Sequence, residues 1–275
     1  MKGFDIMRKR IIASAIGLPL VIACIALGGY ALKALIMAIS LIGMYEFYNA
    51  FSKKSKAVHF IGYIFAVFFV LYSQTLINTV NYFNIFISLF MGVLLVYSVI
   101  FHSTNQISDT ILTFFGFFYI CFIVTHIDLI RNFNYGKYFV WLILICAWGS
   151  DSGAYLAGRN YGKRKLIPSL SPKKTVEGAI GGVITSVVLS LIYGIIVYYF
   201  LDFKQSGLYV YAIIGCVGSI LGQIGDLAAS AIKRYVDIKD FGNIIPGHGG
   251  VLDRFDSVLL TAPAVYYIML LMLEI

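Results

Sequence analysis

Nine apolar runs divide this chain, at about 11–29, 31–51, 58–73, 82–101, 109–130, 138–157, 178–200, 208–229 and 256–273. A helix needs roughly 20 apolar residues to cross the hydrocarbon core of a bilayer. Within that core only helices and closed barrels satisfy their own backbone polar groups. Barrel strands alternate with period two, whereas these runs are apolar all round. The predicted fold is therefore all-α: a polytopic integral membrane protein of about nine transmembrane helices. A soluble domain carries roughly 25% charged residues, and this chain has 12%. The spans take up most of its length, so residues 1–275 are read as a single transmembrane domain with no separate soluble part.

Cations set the orientation, because cytoplasmic loops of membrane proteins are rich in Lys and Arg. With the N-terminus inside, 17 of the 21 Lys and Arg residues fall in inner segments, leaving Lys33, Arg131, Lys137 and Lys204 on or near the outer side. The basic Arg8-Lys9-Arg10 start resembles a signal peptide, but no small-residue cleavage site follows. An uncleaved first helix is expected. Cys24, Cys121, Cys146 and Cys216 all fall inside spans, which fits small apolar packing better than disulfides or a zinc site.

The two halves differ. Residues 1–137 form an N-terminal helical half with sparse loops, and its polar landmarks Glu46, His102, Asp109, His126 and Asp128 have no mutual spacing that builds a site. They read as helix ends and interfacial positions. Residues 138–275 hold nearly all the unusual chemistry and form the expected catalytic half.

Two inner loops carry that chemistry. In the first, Asp151 lies inside an apolar run, where an unpaired carboxylate is costly. Arg159, Lys163, Arg164 and Lys165 follow, then Ser171-Pro172-Lys173-Lys174-Thr175 and Glu177-Gly178. This predicts a turn leading into a helix capped by Thr175. A helix N-terminus beside lysines suits phosphate, although a basic loop that holds lipid head groups and sets topology has the same look. The second loop, Ser230–Asp256, packs four acids, four fixed cations, a histidine and four glycines into 27 residues. Asp226, Ser230, Lys233 and Asp237 are spaced to share one helix face. Lys239-Asp240 and Pro246-Gly247-His248-Gly249-Gly250 come next, with glycines that let backbone N–H groups face an anion. Asp253-Arg254-Phe255-Asp256 opens the last span. Taken singly, Asp226 with Lys233 and Asp253 with Arg254 read equally as structural ion pairs, and His248 as a hydrogen-bonding loop residue. The Gly-rich run is neither a Walker loop nor a dinucleotide fingerprint.

Taken together, these residues resemble the phosphatidate cytidylyltransferase (CDP-diacylglycerol synthase) family. The resemblance rests on Ser230, Lys233-Arg234, Lys239-Asp240, Gly242, His248-Gly249-Gly250, Asp253-Arg254 and Asp256. Ser150-Asp151-Ser152, Gly158-Arg159, Gly162-Lys163, Ser171–Thr175 and Glu177-Gly178 add to it. It implies that CTP and phosphatidic acid give CDP-diacylglycerol and pyrophosphate, with Mg2+ required and a second cation such as K+ associated. Asp226 and Asp253 are the implied metal ligands, with Asp256 a further candidate. Lys173, Lys174, Lys233, Arg234, Lys239 and Arg254 are assigned to phosphates, and His248 to orientation or proton handling. Asp151, Arg159, Lys163, Ser171, Thr175, Ser230 and Asp240 complete the expected substrate site. The expected setting is a bacterial plasma membrane, with the site facing the cytoplasm, membrane lipids as surroundings, a homodimer left open and no nucleic-acid partner.

The residues suit that chemistry on their own terms. A lipid phosphate is already an anion, so its attack on the α-phosphorus of CTP needs no strong base. It needs two polyanions held in line and charge neutralised on the leaving group. Two alternatives stay open. A CTP-dependent polyprenol or phytol kinase would release CDP, and an anionic-solute transporter would use intramembrane acids along a route.

Overall fold

A computed structural model describes residues 2–201, 203, 206–245, 247 and 249–272, with side chains from Ala15 onward. Eight helical stretches among the described residues are long and apolar enough to cross a membrane. Most of the first apolar run, 11–29, lies in helix α1 (Lys2–Leu27), whose described apolar part is Ala15–Leu27. Gly28 and Gly29, with φ of 67° and 51°, take the left-handed conformation that turns α1 into α2 (Gly29–Ala50). That region costs glycine little and other residues more.

The chain forms two compact units. One comprises Met1–Leu129 with Val236–Arg254, the other Ile130–Tyr235 with Phe255–Ile275. In the first, α1 and α2 are followed by α3 (His59–Asn78), α4 (Val80–Ile100) and a long fifth span. That span is not uniform: α5 (Ile107–Gly116) passes through a π-helical stretch, Phe117–Phe122, into α6 (Ile123–Asn132). An aromatic core holds the unit together. Phe69, Phe90 and Phe117 are fully buried, and the rings of Phe90 and Phe117 meet edge to face at 4.9 Å. Such a pair adds about 0.5–1.5 kcal/mol beyond its buried area. Acids that read as helix ends take structural roles. Asp109 caps α5, accepting from Gln106 N at 2.9 Å and Lys56 N at 2.6 Å. Asp128, fully buried, faces Lys33 Nζ at 3.9 Å.

The second unit is built on small residues. Helix α7 (Gly136–Tyr161) leads through a hairpin, β1 (Lys165–Ile167) and β2 (Ser171–Thr175), into α8 (Val176–Phe200). The facing pairs Gly158 with Gly178, Gly153 with Thr185, and Gly149 with Leu189 make α7 and α8 antiparallel. Helix α9 (Leu208–Tyr235) brings Gly215 against Ser186 and Ser190, and Gly218 against Cys146. Gly222 of α9 meets Thr261 of α10 (Leu252–Met272). Lipid tails are as apolar as leucine, so helices in a bilayer associate through close backbone approach and hydrogen bonds between helices. Both are present: Ser219 Oγ donates to Ser150 Oγ at 2.7 Å, and Thr261 Oγ1 donates to the Gly218 carbonyl at 3.1 Å.

The basic segment expected as a simple turn is instead an antiparallel hairpin, with Lys165 opposite Thr175 and Ile167 opposite Ser171. Two strands leave edges unpaired, so Pro172 is tolerated. Glu177, in the first turn of α8, closes the base of the hairpin. Its Oε2 accepts from Lys163 N at 3.0 Å and Arg164 N at 3.2 Å, while Oε1 faces Arg164 Nε at 3.1 Å.

Candidate active site

The second unit gathers three carboxylates. Asp151 on α7, Asp226 on α9 and Asp256 on α10 lie within electrostatic reach of one another. Like charges gathered this way repel and call for cations. Lys174, at the end of β2, meets Asp226, with Nζ 2.5 Å from Oδ2. Its charge also reaches Asp151, and that of Lys233 reaches Asp256. Ser257 Oγ donates to Asp151 Oδ2 at 3.4 Å, and Ser257 N donates to Asp256 Oδ1 at 2.8 Å. The cation that meets Asp226 is thus Lys174, which spacing along the helix did not suggest.

Next to these acids is a cavity of ≈ 340 Å³. Asp151, Arg159, Lys173 and Lys174 supply its charge, and Tyr155 and Leu166 its apolar wall. Its floor is fixed by Gln223, whose Nε2 donates to the Ala179 carbonyl at 3.1 Å and to Ser150 Oγ at 3.2 Å. Thr175 borders the cavity and caps α8 as expected, its Oγ1 accepting from Gly178 N at 3.1 Å. Five expected substrate residues, Asp151, Arg159, Lys173, Lys174 and Thr175, thus surround one space. Lys163 and Ser171 lie at the hairpin, Lys163 exposed and held through its backbone. Ser230 and Lys233 are half-buried on α9, and Arg234 is exposed. Asp237 does not share their face. Helix α9 stops at Tyr235, and Asp237 adopts φ 56°, a left-handed conformation Asp tolerates better than most residues.

The remaining expected residues belong to the first unit. Lys239 and Asp240 are exposed, as is Arg254. His248 lies outside the described residues. Asp253, in the first turn of α10, is buried, and its Oδ2 accepts from Phe241 N at 2.8 Å and Gly250 N at 3.1 Å. Val251 N and Leu252 N donate to Glu46, at 3.0 Å to Oε1 and 2.9 Å to Oε2. Three successive amides, Gly250, Val251 and Leu252, therefore face the protein's own carboxylates. Glu46 is the residue that sequence reasoning missed. A lone acid inside an apolar run is itself a signal, but its partners lie more than 200 positions away.

The carboxylates offer the hard oxygen donors that a magnesium ion takes. Among the described residues no three His, Cys, Asp or Glu side chains close into a metal cage. Magnesium is usually held by one or two carboxylates together with substrate phosphates and water, and Asp226 with Asp256 fits that pattern.

The chain matches the model of the cytidylyltransferase family over residues 8–272. It is 34% identical to the phosphatidate cytidylyltransferase of Bacillus subtilis strain 168 over 272 residues, covering 96% of this chain and 98% of that protein. The phosphatidate cytidylyltransferase of Staphylococcus haemolyticus is 31% identical over 263 residues, covering 94% and 96%. That of Staphylococcus saprophyticus is 44% identical over 128 residues, covering 46% and 47%.

Proposed function

The chain belongs to the cytidylyltransferase family, and on that premise we propose that it is a phosphatidate cytidylyltransferase, converting CTP and phosphatidic acid to CDP-diacylglycerol and pyrophosphate. The observation that carries this reading is the cluster of Asp151, Asp226 and Asp256 with Lys174, of which Asp151 and Lys174 line a cavity together with Arg159 and Lys173. The cavity has cations for phosphate and apolar wall for a lipid.

In the reaction a phosphate oxygen of the lipid forms a bond to the α-phosphorus of CTP. The bond from that phosphorus to the bridging oxygen breaks, and pyrophosphate leaves with the electron pair. Arg159, Lys173 and Lys174 bind and orient phosphate groups at the cavity. Lys174 begins the cycle neutralising Asp226 and is placed to turn to an incoming phosphate. Lys233 offsets the charge of Asp256. Asp226 and Asp256 are assigned to Mg2+. When bound, the ion neutralises charge on the phosphates of CTP and on the departing pyrophosphate. No residue need act as a strong base, which agrees with a cluster built from fixed charges. His248 is assigned to orientation, and K+ is proposed as the second cation.

The test is incubation of the purified, intact protein with CTP, phosphatidic acid and Mg2+. We expect CDP-diacylglycerol and pyrophosphate in equal amounts, lost on chelation with EDTA and restored by Mg2+. Release of CDP without pyrophosphate would point instead to a kinase acting on a lipid alcohol, and solute flux without nucleotide consumption to a transporter.

We also propose that the hairpin and the cavity face the cytoplasm, supported by the basic Arg159–Lys174 segment and the excess of cations in cytoplasmic loops. A cysteine at exposed Lys165 should then resist a membrane-impermeant thiol reagent added to intact cells and react after permeabilisation. Labelling in intact cells would reverse the assignment.

A further inference from the structure

The first unit holds a carboxylate buried away from solvent. Glu46, on α2, is 2% exposed. Both its oxygens are engaged by the backbone at the start of α10, Oε1 by Val251 N and Oε2 by Leu252 N. Two glycines of the same loop make room for it. A Cβ on Gly242 would stand 2.5 Å from Glu46 Oε1, and one on Gly250 would stand 2.5 Å from Oε2. The first amides of a helix lack partners within it and carry its positive end, so a buried carboxylate is well placed there. One residue further on, Asp253 takes Phe241 N and Gly250 N on a single oxygen. Phe241 and the stretch Gly250–Leu252 are thus held by two acids through four amides, with Glu46 the member contributed from elsewhere in the chain.

We propose that Glu46 is a positioning residue for the proposed reaction: it holds the amides of Val251 and Leu252, and with them the start of α10, so that Asp253 is kept in a productive arrangement. The proposal rests on the cytidylyltransferase reading. It also gives Gly242 and Gly250 a reason to be small that involves no ligand: each clears space for the Glu46 carboxylate. Glu46 does not touch substrate in this assignment and transfers no proton. It acts through the backbone it holds.

The experiment compares wild type, Glu46→Gln, Gly250→Ala and the double variant, each as intact purified protein. Gln keeps the size of the side chain but turns one acceptor into a donor that faces an amide N–H. Ala at 250 leaves the carboxylate charged and crowds it out of its seat. Each single variant should lower kcat roughly 10–100-fold, the usual cost of losing a residue that orients a ligand-bearing group. KM for CTP should change little. The double variant should be no worse than the poorer single one, since both break the same contact. Trypsin cleavage after exposed Lys239, just before the tied segment, should quicken in all three. Multiplicative losses in the double variant would overturn the proposal, as would wild-type kcat and wild-type cleavage in Glu46→Gln. If Glu46→Gln fails to accumulate in the membrane, Gly242→Ala carries the same comparison, since it leaves the acid intact and narrows the other side of its seat. Wild-type protein that makes no CDP-diacylglycerol would refute the proposed function. Faster cleavage in the variants would then still support the lock, and unchanged cleavage would remove it.

Discussion

Asp226→Asn should reduce CDP-diacylglycerol formation by on the order of 10²–10³-fold, the scale seen when one group that stabilises developing charge is removed, and should leave the protein folded. The two effects separate because of where Asp226 sits. It is one of three mutually repelling carboxylates, with Asp151 and Asp256, so removing its charge relieves repulsion as well as losing the pair with Lys174. Both partners of that pair are more than a quarter exposed, and ion pairs of this kind contribute about 1 kcal/mol at most. The melting temperature in detergent should therefore move little while turnover collapses. Lys174→Ala should show the other pattern. It leaves Asp226 without its paired cation and Asp151 without that charge nearby, so stability falls more than in Asp226→Asn. Turnover falls less, because Arg159 and Lys173 still line the cavity. Turnover at saturating and limiting CTP, set beside thermal melting of each variant, gives the comparison. Full turnover in Asp226→Asn would take this residue out of the reaction.

What could be read from the chain beforehand follows the range over which each signal acts. Helix existence is a local matter of apolar length: the runs at 178–200 and 208–229 fall inside helices of the structure, and those at 58–73 and 82–101 overrun theirs by one residue each. Thr175 as a cap was legible because the capping contact spans three positions, Thr175 to Gly178. The pairing of Asp226 was not. Spacing on a helix favours Lys233, seven positions on, but the hairpin returns Lys174 to the same place from 52 positions upstream, and nothing in periodicity announces a two-stranded hairpin with proline in one strand. Glu46 was further still from reach. It reads as a stray acid until the fold brings Val251 and Leu252 to it. The glycines near 250 were legible as special, but the close approach of the Glu46 carboxylate to Gly250 was not. Asp237 shows the limit of face arguments, since α9 ends two residues before it.

Gly181→Val should damage the fold of the second unit severely. A Cβ at Gly181 would fall on that of Ala157, with the Gly153 carbonyl also 3.4 Å away, so α7 and α8 cannot keep their spacing. Overpacking in a close-packed interior usually costs about 1–3 kcal/mol. The cost here lies toward the upper end, because the neighbouring atoms are a short side chain and backbone, which have no rotamer to move out of the way. The consequence reaches the site. The hairpin enters α8 at Val176, so a displaced α8 carries Lys174 and Thr175 away from Asp226 and the cavity. Membrane accumulation, melting temperature and turnover should fall together, in contrast to Asp226→Asn, where only turnover falls. Gly92→Val is the matched control: it places the same side chain in a helix where a Cβ meets nothing within 4 Å, and it should be tolerated. Equal melting of Gly181→Val and Gly92→Val would mean that α7 and α8 do not rely on this approach.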